Sequence, residues 1–313
     1  MIWLLTNLNI IPSENLWLLL KLWPVLLIVA GLDALFGRWL PLVGALLALS
    51  VMVGVVCVLM EGNLFDLEGT KPEPQLETFV VEVDDATAAH LDLKLSTQAT
   101  KVSRLAGSTH LVEAEISHYG DIGFTVTGDE EKRIRLAQTG LVSWFSWLMP
   151  ALGEDPLVWN IGLSSVIPFD LEVDASTGRV ELDLRGVQLD RFRFDGGTGA
   201  STIYLPASTE AFDARLEGGT GTLEVNLPAR GNFNLRLDGS AGRVLLNLQE
   251  TTQVQVQVLG GGVGDLQVTD RISKVSGAEG RDEGVYQTSG FEGAPYQLVI
   301  IIEDIGTGNI IVE

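Results

Sequence analysis

The segment Phe194-Asp-Gly-Gly-Thr-Gly-Ala-Ser-Thr-Ile-Tyr-Leu205 joins two short alternating stretches through a glycine-rich turn. Four further turns of this kind occur between residues 168 and 270, and the final glycines of the five turns are 21, 22, 21 and 22 residues apart. These glycines are Gly178, Gly199, Gly221, Gly242 and Gly264. Nearly all side chains two, four and six residues after each glycine are apolar, and those between them are mostly polar. This period of two indicates strands with one buried face.

A fixed period near 22 residues with aligned apolar columns is typical of stacked coils, because one coil cannot bury its own inner face. We therefore predict a parallel β-solenoid of about five coils over residues 168–270, with glycine supplying positive φ at each corner. A late coil is expected around Gly308, two periods after Gly264, and residues 277–295 should replace a regular coil. The competing fold is an antiparallel sandwich of hairpins, which does not explain the aligned columns.

The first 60 residues differ sharply in composition, since their charges are limited to Glu14, Lys21, Asp33 and Arg38. Residues 39–60 carry no charge, and as a helix they would cover roughly 33 Å, enough for a bilayer core of about 30 Å. Residues 16–36 form a second apolar run. Together they predict a membrane helical hairpin whose tight loop, holding Arg38, faces the cytoplasm, so that the β domain lies outside.

The expected organisation is a transmembrane region over 1–60, a linker over 61–75, an N-terminal β segment over 76–160 and a repetitive β-solenoid over 161–313. The fold class is thus a membrane hairpin followed by an all-β domain. Long helices beyond residue 76 are not expected.

The charge balance and the cysteine content exclude several classes of function. The chain holds 41 acids against 20 bases, a balance that disfavours nucleic acid as a partner because phosphate binding needs clustered cations. The single cysteine, Cys57, excludes an intramolecular disulfide framework and a multi-cysteine metal site. The glycine turns lack the Gly-Lys-Ser ending of a phosphate loop, and the three histidines are expected on strand surfaces. We predict a protein that is not an enzyme and has no cofactor.

Two groups of residues are candidates for a binding surface. The first is an acidic column at the solenoid corners, where stacked carboxylates either form a solvated face, take up a divalent cation weakly or bind a partner. It consists of Asp174, Asp195, Glu217 and Asp238. The second is aromatic: Trp144 and Trp147, with Trp159, either cap the solenoid or contact membrane or ligand.

Parts of the chain resemble a known family. Asn7-Leu-Asn-Ile-Ile-Pro12 and Leu22-Trp-Pro-Val-Leu-Leu-Ile-Val-Ala-Gly31 resemble the membrane region of LiaF-type proteins, the bacterial cell-wall-active antibiotic response family. Leu171-Glu-Val-Asp-Ala-Ser-Thr-Gly178 is similar to the repetitive β domain of toast-rack type attached to that region, and Leu105-Ala-Gly-Ser-Thr-His-Leu-Val-Glu-Ala-Glu115 is similar to its N-terminal part.

The resemblance implies a multi-pass protein of the bacterial cell membrane that regulates envelope-stress signalling by tuning a sensor histidine kinase. The bilayer, such a kinase or another membrane protein, and a second copy of the chain are the expected partners. The alternative is a structural envelope scaffold or self-associating surface protein. A polysaccharide-active enzyme ranks third, because the repeats do not show which acids converge.

Overall fold

The computed structural model describes residues 74–139 and 157–313, apart from residues 97, 106, 108 and 209–211. The membrane hairpin predicted over 1–60, most of the linker, and Trp144 and Trp147 lie outside these residues. Within the described part, no helix has the length and apolar character needed to cross a bilayer. Regular structure there is β, apart from a 3-10 turn at Phe291–Gly293, which confirms the all-β prediction for the domain.

The strands of the described residues number twenty-one. They are β1 (Gln75–Glu82), β2 (Ala88–Lys94), β3 (Ala99–Arg104), β4 (His110–His118), β5 (Asp121–Thr127), β6 (Glu131–Thr139), β7 (Val158–Leu163), β8 (Phe169–Asp174), β9 (Arg179–Asp183), β10 (Leu189–Asp195), β11 (Ala200–Tyr204), β12 (Asp213–Glu217), β13 (Thr222–Asn226), β14 (Phe233–Ser240), β15 (Arg243–Asn247), β16 (Val254–Val258), β17 (Asp265–Val268), β18 (Ile272–Ser276), β19 (Gly284–Thr288), β20 (Leu298–Gly306) and β21 (Asn309–Val312).

These strands form two sheets. The first has the order β1-β4-β7-β3-β9-β11-β13-β15-β21-β17, and the second has the order β5-β6-β2-β8-β10-β12-β14-β20-β16-β19-β18. A rung of the stack is one strand of the second sheet, a corner, and one strand of the first sheet, as in β10 and β11. Successive rungs pair in parallel, so that Ile203 lies directly between Leu182 and Val225. The parallel stack is therefore confirmed, and the antiparallel sandwich is wrong.

The core lies between the two sheets and follows the predicted columns. Leu182, Ile203, Val225 and Leu246 from the first sheet are fully buried. Of the two polar exceptions in the pattern, Ser201 is also buried, whereas Asp270 is exposed. Alternate residues along each strand point outward, so the outer face of each sheet is mostly polar and carries the surface chemistry, with β20 as an apolar exception.

The stack begins earlier than predicted. The strands β2 and β3 form a rung that pairs in parallel with β8 and β9 on one side and with β6 and β7 on the other. The described residues thus contain seven such rungs, and β6 and β7 add an eighth level to the stack rather than the predicted total of about five coils, so strands of the predicted N-terminal β segment over 76–160 share the stack. The 22-residue period does not reveal these rungs because a long connection separates β6 from β7.

The order of the last rungs also differs from the prediction. A coil does form around Gly308, but it inserts between two earlier rungs: Val312 pairs with Leu246 on one side and with Val268 on the other. The position of the inserted rung follows from the hydrophobicity of its strand β20. Strand β20 has apolar residues on both faces, whereas the side chains of β17 are only partly buried. Residues 277–295 replace a regular coil, as expected, with an antiparallel β18–β19 hairpin.

The corner glycines have a different role from the predicted one. Gly197, Gly199, Gly219 and Gly221 are not among the residues with positive φ. Instead, a Cβ atom on Gly219 would lie 1.8 Å from the carbonyl oxygen of Gly197 in the adjacent rung. Glycine is needed because the backbones of stacked corners approach closely.

Positive φ does occur in the corners of the last two rungs, at Gly262 (56°) and Gly306 (75°). Each of these corners holds one more residue than the earlier corners. The additional residue shifts the interior position by one, so Val258 packs opposite Ile302. Leu259 lies five residues before Gly264, as the buried Leu216 lies before Gly221, but it is 65% exposed.

Candidate binding surface

The predicted acidic column forms on the second sheet. Asp174, Asp195, Glu217 and Asp238 are direct neighbours in the parallel register, and Asp304 of the inserted rung continues the column. Neighbouring strands lie about 4.8 Å apart. Each acid ends or nearly ends its strand, next to the glycine corner, and each is partly or fully exposed. The column is thus a row of like charges that crosses the ends of successive strands, beside the glycine corners.

A row of arginines runs beside this column and was not predicted. Arg193, Arg215 and Arg236 are in register two residues before the acids. Arg193 pairs with Glu217 at 3.2 Å, and Arg215 bridges Glu217 at 3.3 Å and Glu303 at 3.2 Å. Arg236 approaches Glu303 at 3.5 Å. The repeat pattern contains the signal, since each of these arginines lies six residues before a final corner glycine.

Within the described residues, three acids of the column have no salt bridge: Asp195, Asp238 and Asp304. In the described part of the chain, neither Asp195 nor Asp238 has a cationic nitrogen within 4.0 Å. Partial burial, followed by repulsion from Glu217 and Asp174, raises the pKa of Asp195. Partial burial, followed by repulsion from Glu217 and Glu303, raises the pKa of Asp238. The ionised forms of these two side chains are therefore held at a cost to the fold.

The column does not provide a cation site of ordinary geometry. Its acids follow one another along the stack instead of converging on one point, and the described residues contain no group of three or more His, Cys, Asp or Glu placed to hold a metal ion. The surface thus presents a line of carboxylates rather than a cluster around one point.

Of the three aromatic candidates, only Trp159 lies among the described residues. Trp144 and Trp147 lie outside the described residues, and their role stays a prediction. Trp159 is fully buried in β7, opposite Thr100 of the next rung, so an exposed role for it is wrong. His118 was expected on a surface but is only 3% exposed. Its ring Nδ1 donates a hydrogen bond to the carbonyl oxygen of Gly120 at 2.7 Å.

A second concave surface lies at the far corners of the first sheet. It is a half-open groove of about 690 Å³ whose polar wall includes Arg185, Tyr204, Asn226, Arg230 and Asn247. The Asn247 Nδ2 donates a hydrogen bond to Asn226 Oδ1 at 3.0 Å, and the Arg185 guanidinium lies 4.8 Å from the centre of the Tyr204 ring. The described residues that line this groove include no acid, in contrast with the column on the other sheet.

The family model for the N-terminal domain of toast_rack, DUF2154, matches residues 70–226. The chain belongs to this toast_rack family. The toast-rack match extends from the first strand to the end of β13, and therefore includes the rungs that carry Asp174, Asp195 and Glu217. It supports the toast-rack part of the resemblance noted above. The LiaF-like membrane segments at residues 7–31 lie outside the matched range and stay a prediction.

Two solved structures are similar to this toast-rack chain at low identity. One, from Clostridium sporogenes and provisionally assigned to cell adhesion, is 18% identical over 77% of this chain and 99% of its own, with a TM-score of 0.47. The other, from Bacteroides fragilis and provisionally assigned as an adhesin, is 10% identical over 77% and 99%, with a TM-score of 0.28. No curated protein matches at a significant level. These similarities are too distant to carry a functional argument.

Proposed function

We propose that this toast-rack chain is a membrane-anchored, non-enzymatic sensing or regulatory protein of the bacterial envelope-stress response. It would bind a basic partner surface through the acidic column. The observation that carries the proposal is the stacking of Asp195 and Asp238 beside Glu217, because like charges placed directly opposite each other destabilise a sheet.

Two other places on the same face pair opposite charges between neighbouring strands. Arg135 lies 3.3 Å from Asp92, and Arg191 lies 3.5 Å from Asp170. In these two pairs, opposite charges lie on neighbouring strands, as stability alone favours. A sheet under selection for stability only would pair the acids of the column in the same way. Retaining unpaired acids at Asp195 and Asp238 is consistent with a surface that a cationic partner neutralises.

The nature of the partner follows from the chemistry of the face. The carboxylates of the column can accept charge-assisted hydrogen bonds from the Lys and Arg side chains of a partner segment. Resemblance to LiaF-type proteins supports a sensor histidine kinase as that partner. The apolar runs at 16–36 and 39–60 support anchoring in the same membrane.

The test is a charge-matched pair of double variants in the full chain. Asp195→Asn with Asp238→Asn removes two charges from the column, and Asp190→Asn with Asp213→Asn removes two exposed acids from the same sheet outside the column. Crosslinking in intact cells, followed by identification of the captured proteins, reports partner binding. We expect the column variant to lose the captured membrane partner and the control variant to keep it.

Equal capture by both double variants would contradict the proposal. Loss of capture only when Trp144 and Trp147 are replaced by alanine would move the binding site to the aromatic segment. Turnover of a polysaccharide by the purified full chain would overturn the non-enzymatic part of the proposal.

A further inference from the structure

The groove at the far corners of the first sheet is built from equivalent positions of successive rungs. Tyr204, Asn226 and Asn247 end β11, β13 and β15, and each lies directly opposite the next in the parallel register. The ladder continues past the strand ends, because the Leu205 N–H donates to the Asn226 carbonyl at 3.1 Å and the Leu227 N–H donates to the Asn247 carbonyl at 3.0 Å. The floor of the groove is thus a regular row of polar side chains, one to a rung.

Hydrogen bonds fix the orientation of these side chains. Glu224, which points outward from β13, accepts from Asn247 Nδ2 at 2.8 Å and from Asn226 Nδ2 at 3.4 Å. Arg185 Nε and Nη2 donate to the carboxylate of Asp183 at 2.7 and 2.6 Å, which holds the guanidinium at one end of the groove. A ligand that binds to side chains already held in place costs less conformational entropy.

The chemistry of the lining suits a ligand rich in hydroxyl groups. Amide side chains both donate and accept hydrogen bonds, as hydroxyls do, and Arg230 and Gln249 add further polar groups on the turns after β13 and β15. Among the described lining residues, the charge of Arg185 is balanced by Asp183, and Arg230 is the remaining cation. The groove therefore carries too little charge to select an ionic polymer.

The spacing of the rungs favours a sugar chain over a peptide. Successive rungs lie about 4.8 Å apart, and one hexopyranose unit of an extended β-1,4-linked chain advances by a similar distance, so each ring can meet one rung. A peptide strand repeats its side chains on one face only about every 6.7 Å. From the rung of Arg185 to that of Asn247 the groove covers about 14 Å, which is enough for roughly three or four rings.

We propose that this groove binds an unbranched β-1,4-linked oligosaccharide that lies along the stack, with its rings in step with the rungs. Asn226 and Asn247 bond ring hydroxyls from below, while Arg185 and Arg230 donate from the end and the side. Glycoside hydrolysis ordinarily requires two carboxylates beside the bond that is cleaved, and the described lining residues supply none. The site is thus one for binding without cleavage, and it lies on the other sheet from the acidic column.

Titration calorimetry on the purified full chain tests the proposal with two extended probes, cellotetraose and chitotetraose. We expect at least one of them to bind, with an affinity at least tenfold above that of its disaccharide, because each added ring reaches a further rung. Maltotetraose, whose α-1,4 links curve the chain away from an extended path, is the matched ligand control. It should bind at least tenfold more weakly than the better of the two probes.

Two groove variants locate the site. Asn226→Ala with Asn247→Ala removes both amides from the floor and should weaken binding at least tenfold. The matched control, Asn234→Ala with Asn309→Ala, removes two exposed amides outside the groove and should bind as the unaltered chain does. Arg230→Ala changes an exposed turn residue, so a weaker affinity in that variant is not an effect of unfolding.

Four results would each overturn the proposal: binding of neither tetrasaccharide, equal affinity for maltotetraose, an affinity that does not grow with chain length, or undiminished binding in both groove variants. The proposed function is tested separately. Asp195→Asn with Asp238→Asn should bind the oligosaccharide as the unaltered chain does, and Asn226→Ala with Asn247→Ala should still capture the protein partner. The two proposals therefore fail independently.

Discussion

Replacing Gly219 by alanine would place a methyl group where the neighbouring corner already has its backbone. The Cβ atom would lie 1.8 Å from the Gly197 oxygen and 2.2 Å from the Gly196 oxygen, about 1.6 Å inside the 3.4 Å at which ordinary contact begins. Gly219 has no positive φ, so a conformational explanation of this glycine predicts a small effect, whereas close approach predicts a large one.

The size of the effect follows from the hydrogen bonds that join these two corners. The Gly196 N–H donates to the Glu217 carbonyl at 2.8 Å, and the Gly221 N–H donates to the Gly197 carbonyl at 3.3 Å. Moving the corners apart weakens both bonds, each worth about 1 kcal/mol net, and adds an overpacking cost of about 1–3 kcal/mol. A total of about 3–5 kcal/mol should lower the melting temperature by the order of 10 °C.

Thermal unfolding of the purified full chain, followed by circular dichroism, measures this loss. Two control glycines have no atom within 4 Å of the added Cβ: Gly293, whose φ is not positive, and Gly280, whose φ is +75°. We expect Gly293→Ala to be nearly neutral and Gly280→Ala to cost about 1 kcal/mol. The reasoning would be refuted if Gly219→Ala cost no more than Gly280→Ala.

Three further outcomes follow from burial and charge. Val225→Asp buries an unpaired charge in a fully enclosed position, costs about 4 kcal/mol or more, and should expose the β domain to early proteolysis; wild-type resistance would argue against the interior placement. Burial and repulsion raise the pKa of Asp195, so its favourable contribution exists below about pH 3.9 and disappears as the pH rises through the raised pKa. Asp195→Asn should therefore raise the melting temperature at pH 7, with the gain vanishing near pH 4. The hydrogen bond from Arg185 lowers the pKa of Asp183, so its contribution exists above about pH 3.9 and is lost as the pH falls through the lowered pKa. Asp183→Asn should lower the melting temperature slightly at pH 7. A rise in both Asn variants would contradict the assignment of Asp183, and a fall in both would contradict that of Asp195.

The local periodicity predicted the regular rungs well, because each rung repeats the same apolar positions and the same corner. The columns of Val225 and of Asp195 both follow from position relative to the final glycine. The arginine row could have been found in the same way, since Arg215 keeps a constant offset from Gly221. What the period cannot report is which rung lies beside which, and so it missed the placement of Val312 between Leu246 and Val268.

The role of the glycines was missed for a related reason. The residue type at Gly219 is compatible with either positive φ or close backbone approach, and only the position of the next rung decides between them. The burial of His118 is likewise nonlocal, because strands distant in sequence pack around it. Sequence patterns within one rung therefore predicted the strands and their faces, whereas contacts between rungs required the structure.

The inserted rung determines the order in which the last strands can dock while the chain is being synthesised. Strands β16 and β17 emerge from the ribosome before β20 and β21, yet they dock against those later strands rather than against β14 and β15. At about 5–20 residues per second, the apolar edge of β14 waits for seconds before its permanent neighbour at Leu298 is made. During that interval β16 can pair with the edge of β14. That pairing must then break before β20 can insert between the two strands. The C-terminal rungs are thus the stage at which a chaperone or a nearby membrane surface would have most influence on the yield of folded protein.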